Sequence, residues 1–158
     1  MATNAEQAFE LFKAAVGQPE GVGEWFEITQ EQVNQFADVT HDHQFIHVDP
    51  EAAKNTPFGG TIAHGFLTLS MLTKLCSSIP TDPERFKGVV MGVNYGFDRV
   101  RFVSPVPVGS RIRASSVLSA AELKDQNTIQ TTRTVTVEVE GKDRPACVAE
   151  WLTRIMYA

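Results

Sequence analysis

A chain of 158 residues, 42% hydrophobic and 21% charged, has the balance of one soluble globular domain and enough length for a substantial core. Its formal net charge of −5 argues against the basic face that nucleic-acid binding requires, and no apolar run approaches the ~20 residues of a membrane span. Cys76 and Cys147 show neither metal-type spacing nor a disulfide framework and read as small buried hydrophobes.

No basic-then-apolar leader pattern opens the chain, so the expected location is the cytoplasm. Residues 1–158 read as a single domain, of which residues 1–20 form an N-terminal helical extension. Within it, residues 4–16 place Ala8, Leu11, Phe12 and Ala15 at three-to-four spacing, the pattern of a short amphipathic helix that ends near Gly17. Trp25–Ile28 reads as a brief strand. Thr29 then caps a second helix with Gln32 as its capping-box partner, and Val33 and Phe36 form the buried side.

Residues 40–62 look irregular except for one helical turn in which Asp49 is the N-cap and Pro50 the first helical residue. From about 63 to 79 comes a helix carrying Phe66, Leu67, Leu69, Met71, Leu72 and Leu75. Apolar over most of its circumference, it is expected to lie buried. The remainder is strand: 88–103, 110–122, 128–140 and 146–157, with a break at Ser104–Gly109 and a turn at Gly141-Lys142-Asp143. In the third of these, Val135, Val137 and Val139 share one face and Thr134, Thr136 and Glu138 the other. One buried helix followed by long antiparallel strands predicts an α+β fold in which a sheet wraps the helix.

The chemistry concentrates in Thr40-His41-Asp42-His43-Gln44-Phe45-Ile46-His47-Val48-Asp49-Pro50. Three of the four histidines fall within seven residues, and the fourth, His64, opens the buried helix. Imidazole exchanges protons near neutral pH, and loops on a rigid scaffold carry much of function. Read plainly, Asp42 is a turn former, His47 a hydrogen-bonded core residue, His41 and His43 solvated loop residues, and His64 a residue bonded to backbone at the helix start. A sharper rival is a zinc or iron(II) site built from His41, Asp42, His43 and His47. The alternation of His41 and His43 in an extended segment disfavours it.

This segment resembles the MaoC-like hydratase family, whose motif runs Asp-x-Asn-Pro-hydrophobic-His and then Asp. Asp42, Ile46, His47 and Asp49 stand at the matching places. Pro57 through Phe66 (Pro-Phe-Gly-Gly-Thr-Ile-Ala-His-Gly-Phe) is similar to the family's loop into an Ala-His-Gly helix start. Gly92–Gly96, Val100–Phe102 and Pro107–Ser110 look like its strand-and-turn segment. The matches span roughly residues 25–155, and Gln44-Phe45 in place of Asn-Pro is similar to the NodN-like branch. His41 replaces the usual Gly, so it must either adopt a positive φ or hold a different turn.

The resemblance implies a hot-dog fold and a homodimer. It also implies reversible hydration of trans-2-enoyl-CoA to (R)-3-hydroxyacyl-CoA, with no metal and no cofactor beyond the CoA of the substrate. In that reading Asp42 orients and deprotonates a water, and His47 holds it and passes a proton to C2. The Gly65 N–H polarises the thioester carbonyl. Ser70 matches a position that supports the dyad in some members, and Asn94 is a candidate substrate contact or a structural strand residue. Arg99, Arg101 and Lys54 are the cations available to an anionic ligand, and Phe45, Phe58, Phe66 and Met71 the residues available to line an acyl tunnel. Two alternatives remain at this stage: a hot-dog acyl-CoA thioesterase, and a non-catalytic acyl-CoA or acyl-carrier binding module.

Overall fold

The computed structural model describes residues 1–158. Helix α1 (Asn4–Ala15) opens the chain, with a capping box in which the Thr3 side chain accepts from Glu6 N–H and Glu6 bonds back to Thr3 N–H. The strands β1 (Pro19–Val22) and β2 (Phe26–Glu27) follow, then α2 (Gln30–Thr40), α3 (Phe45–Val48), α4 (Pro50–Ala53), α5 (Gly65–Ser70) and α6 (Leu72–Cys76). A single 3₁₀ turn at Pro83–Phe86 leads to β3 (Val89–Phe102), β4 (Arg111–Asp125), β5 (Thr128–Val139) and β6 (Cys147–Tyr157). No helix is long and apolar enough to cross a membrane.

All six strands form one antiparallel sheet, ordered β1-β4-β5-β6-β3 with β2 also on β4. The α+β class and the four long strands agree with the sequence reading. Strand alternation does the positioning. On β4, Ile112, Ala114, Ser116 and Leu118 are buried, and on β5 Ile129, Thr131, Val135, Val137 and Val139 are. These residues, two apart, share one face of the sheet.

That face carries two apolar clusters. One gathers Leu67, Leu72 and Leu75 of the central helix with Ile112, Ala114, Val135, Val137 and Cys147. The other gathers Ala5, Ala8 and Phe12 of α1 with Leu118, Ile129, Ile155 and Tyr157. Each fully buried aliphatic or aromatic side chain contributes roughly 1.5–3 kcal/mol. Leu11, expected on the buried stripe of α1, is instead 38% exposed, and Ala5 takes its place.

The central helix differs from its expected form in two ways. It begins at Gly65 rather than about 63, and it breaks at Met71 (φ −73°, ψ −7°) before ending at Cys76. The Ser70 hydroxyl, which donates to Phe66 O at 2.7 Å, accounts for the break: a Ser bonding back to the i−4 carbonyl competes with the helical ladder and bends it. Nor is the helix buried all round. Leu67, Thr68, Leu72 and Leu75 face the sheet, while Phe66 (68% exposed), Ser70, Thr73 and Lys74 do not.

Strand β1 was not expected, since Pro19 and Gly21 are poor strand residues. It pairs with β4 at Val117–Ser115. Just beyond it, Gly23 passes so close to the helix end that a Cβ there would lie 2.5 Å from Leu75 O and 2.7 Å from Ser78 Oγ. This close approach locks β1 against α6.

Candidate active site

The segment 41–49 is shaped by its two ends. α2 terminates at His41, which adopts the left-handed conformation (φ 61°, ψ 24°), the only non-glycine residue of the chain with positive φ. His41 therefore takes up the turn that Gly serves in the related motif. At the other end Asp49 caps α4, accepting from Glu51 N–H and Ala52 N–H at 3.1 and 3.0 Å.

Between them α3 presents His47, 7% exposed, to the centre of the molecule. Its Nδ1 lies 2.7 Å from Ile62 O. A carbonyl oxygen only accepts, so Nδ1 carries the hydrogen and the neutral ring keeps a bare lone pair on Nε2. The surrounding frame is firm. Gln30 of α2 donates to His47 O at 2.7 Å and accepts from the Thr61 hydroxyl at 2.6 Å. Ile62 N–H bonds to Ile46 O at 3.0 Å, which zips α3 to the segment leading into α5.

His64, 3% exposed, completes the arrangement. Its ring stacks on that of His47 with centroids 3.8 Å apart and planes 25° from parallel. Its Nε2 donates to the backbone oxygen of Asp42 at 3.0 Å, and its Nδ1 is buried without a partner. The expectation that His64 bonds to backbone at the helix start agrees with this geometry.

Asp42, His47 and His64 each offer a carboxylate oxygen or ring nitrogen within 4.8 Å of the other two. That spacing lets one water bridge the Asp42 carboxylate and His47 by two ordinary hydrogen bonds. The Asp42 side chain is 51% exposed, with Gln44 N–H at 3.4 Å from its Oδ1 as a weak local tether. The four-residue metal set weighed from sequence is not assembled. His43 is turned to Asp38 (2.8 Å) and His41 is exposed in its turn, while the three groups that do converge include His64 in their place.

A cavity of about 270 Å³ adjoins His47, walled by Ile62, Ala63, Gly65, Thr68 and Phe102 among others. Gly65 is the first residue of α5, so its N–H has no partner along the helix. A Cβ at this position would lie 3.0 Å from the Phe102 ring, which explains the need for glycine. Because α5 is only six residues long and breaks at Met71, the donor acts as one amide rather than as the end of a long helix dipole.

Other sequence candidates lie elsewhere. Ser70 is exposed, spends its hydroxyl on Phe66 O and does not wall this cavity; Thr68, 3% exposed, does. Asn94 accepts from Trp151 Nε1 at 3.1 Å and lines a second cavity. Phe58 belongs to the His47 cavity, whereas Phe66 packs edge-on against Phe102. Arg99 and Arg101 are exposed, and Lys54 is paired with Glu51 at 2.7 Å. Sequence reasoning missed Thr68, whose signal was a polar residue one turn past Gly65 on the apolar side of the helix.

Comparison with known proteins gives the family and the fold. The MaoC-like domain model matches residues 12–141. The chain is 54% identical over 141 residues to 3-hydroxyacyl-thioester dehydratase Z of Mycobacterium tuberculosis, covering 89% of this chain and 91% of that protein. It is 51% identical over 144 residues to nodulation protein N of Rhizobium leguminosarum bv. viciae, covering 90% and 87%. Among solved structures, the (R)-hydratase of A. caviae involved in PHA biosynthesis superposes with a TM-score of 0.65 at 23% identity, covering 87% of this chain and 94% of that one. The sheet curled on its central helix is thus the hot-dog fold, and the chain belongs to the MaoC-like dehydratase family.

Proposed function

We propose that the protein reversibly hydrates trans-2-enoyl-CoA to (R)-3-hydroxyacyl-CoA. The observation that carries this reading is the convergence of the Asp42 carboxylate and a His47 ring whose Nε2 lone pair is free, in a site that also holds the unpaired Gly65 N–H. The relatives named for thioester dehydration and (R)-hydration support the reaction class.

The tautomer of His47 changes how the roles are divided. Because Nδ1 already donates to Ile62 O, Nε2 is the natural proton acceptor. Water held between Asp42 and His47 gives one proton to Nε2 as its oxygen bonds to C3, and the electron pair of the C2=C3 bond moves onto the thioester. The Gly65 N–H stabilises the resulting enolate oxygen, a contribution of about 3 kcal/mol for one well-aimed donor. Nε2–H then delivers the same proton to C2. The Asp42 carboxylate orients the water and offsets the transient imidazolium. Hydroxyl and hydrogen come from one water, and both side chains end as they began. In this scheme no step uses a metal, so exhaustive chelation is expected to leave the rate unchanged.

We further propose a homodimer built on β3. It is an edge strand of 14 residues and exposes Val90, Met91, Val93, Tyr95 and Phe97. Open apolar edges of this length are normally covered. Light scattering at twice 17.4 kDa supports the dimer, and a monomer at assay concentration refutes it.

The deciding assay follows loss of enoyl absorbance with crotonyl-CoA and free thiol release in parallel. Hydration without thiol release is expected, and Asp42→Asn and His47→Gln each lower kcat/KM by roughly 10²- to 10⁴-fold with the fold intact. Thiol release as the main reaction identifies a thioesterase, and absence of both reactions with enoyl-CoA substrates of every length, alkyl and ω-carboxylated, identifies a binding module.

A further inference from the structure

The larger cavity of the molecule, about 470 Å³, lies along the same central helix but beyond its break. Thr73 and Cys76 wall it, whereas Gly65 and Thr68 wall the His47 cavity. At the helical rise, Thr73 stands about 12 Å along the helix from Gly65. An acyl chain whose thioester sits at Gly65 and whose tail follows the helix therefore runs towards this second cavity.

Its wall is apolar over most of its area, with Ile79, Phe86, Val89 and Ile155, but it carries a charged cluster that a plain alkyl tail leaves unanswered. The inner face of the sheet is apolar at both ends, where the two clusters lie, and polar between them. There Ser116 of β4 and Arg133 of β5 point inward together with Glu20 of β1. Glu20 Oε1 accepts from Arg133 Nε at 2.8 Å and from Ser116 Oγ at 2.8 Å. The Glu20 side chain is 8% exposed and that of Arg133 16%. A second guanidinium, Arg85, lies 3.9 Å from Glu20 Oε2, and Glu20 is its only ion-pair partner. Arg85 Nε is buried without a hydrogen bond.

Two guanidiniums thus share one carboxylate in a largely enclosed place, leaving one positive charge unbalanced. Beyond its bond to Glu20, Arg133 makes only a long contact, 3.5 Å, from Nη1 to Thr131 Oγ1. Guanidinium presents five donors in a planar fork that matches a carboxylate, and Arg133 has most of its fork to spare. A buried charge left without its counter-ion is costly, and a methyl terminus would leave it so.

We propose that this cavity receives the far end of an acyl thioester bearing a terminal carboxylate, with Arg133 as the residue that recognises it. This rests on the hydratase reading, since it assumes the thioester sits at Gly65. With the incoming carboxylate the cluster becomes two guanidiniums and two carboxylates. A site built to bond a polar group discriminates strongly against the analogue that lacks it.

The test compares enoyl-CoA substrates of rising length, each as the plain alkyl chain and as the ω-carboxylated chain. Expected is a length at which the carboxylated substrate is preferred in kcat/KM by about tenfold or more, and a preference that falls to about one in Arg133→Met. Arg133→Met leaves Glu20 with Arg85 and the Ser116 hydroxyl, so the cluster is left with one guanidinium and one carboxylate and no unbalanced charge. A wild-type preference for the alkyl chain at every length overturns the proposal, as does a carboxylate preference that survives in Arg133→Met. Calorimetric binding of saturated ω-carboxyacyl-CoA against alkyl acyl-CoA reads the same preference without turnover. Failure of hydration is thereby told apart from failure of tail recognition.

Discussion

The imidazoles of His47 and His64 lie face to face, 3.8 Å between centroids, and His64 also holds the backbone oxygen of Asp42. One buried side chain thus fixes both halves of the pair that brackets the water. His64 reaches neither the water nor the substrate in this scheme, so its part is positioning. His64→Phe keeps the stack and deletes the bond to Asp42 O, and His64→Gln keeps a donor and deletes the stack. Each is expected to lower kcat by roughly 10- to 100-fold, in the range typical of residues that orient a reactive ligand, with little change in KM. Full kcat in both variants removes His64 from the arrangement.

At the helix start the constraint is steric. A Gly65→Ala methyl group meets the Phe102 ring at 3.0 Å, and that ring walls the cavity in which the thioester carbonyl is to sit. Displacing it narrows the cavity and shifts the oxyanion away from the N–H, for a loss of about 10² in kcat/KM. Adding Phe102→Leu relieves the clash and restores part of the activity. An unchanged rate in Gly65→Ala means that the carbonyl binds elsewhere.

The long strands and the α2 capping box were legible because each leaves a short-range signature: alternation for Val135, Val137 and Val139, and the Thr29–Gln32 pair for the helix start. So was the convergence of Asp42 and His47, because motif spacing and the Ala-His-Gly start act together. The features that stayed hidden depend on distant partners. Glu20 is buried by residues about a hundred positions away, Ser116 and Arg133, and nothing near Pro19 or Gly21 signals a strand. Ser70 was expected to support the dyad, yet its hydroxyl bonds to Phe66 O and the helix breaks at Met71, an effect that the apolar spacing does not signal. Arg133 was readable in principle. Two residues before Val135 on an alternating strand, it places a charge on the buried face.

His41 is a site of stored strain. It holds φ 61°, is exposed, and its side chain makes no hydrogen bond. A non-glycine residue in this region costs about 1–2 kcal/mol, of which the extra unfolded-state freedom of glycine returns a part. His41→Gly is therefore expected to stabilise the protein by roughly 0.5–1 kcal/mol, raising Tm by about 1–4 °C for a chain of this size. A lowered Tm shows that the imidazole contributes a contact worth more than the strain.

Alkaline pH tests the core from within. Burial pushes the Cys147 thiol up to about 11 and the Tyr157 hydroxyl up to about 12, from ordinary values of 9.0 and 10.0. Burial likewise pushes Cys76 up to about 11, against the pull of Arg133 and with a smaller push from Glu20. Tyr157 also spends its proton in a 2.6 Å bond to Arg85 O. All three groups keep their protons in the native chain when the unfolded chain has lost them. Their contribution is therefore complete below pH 9 and is lost as pH rises towards 11–12. Tm is therefore expected to fall over this window. Cys147→Ala removes one of the three groups, so its Tm starts lower from the lost packing but declines less between pH 9 and 11. A wild-type Tm that is flat across that window, or a variant that declines as steeply as wild type, shows that these protons are not held by burial.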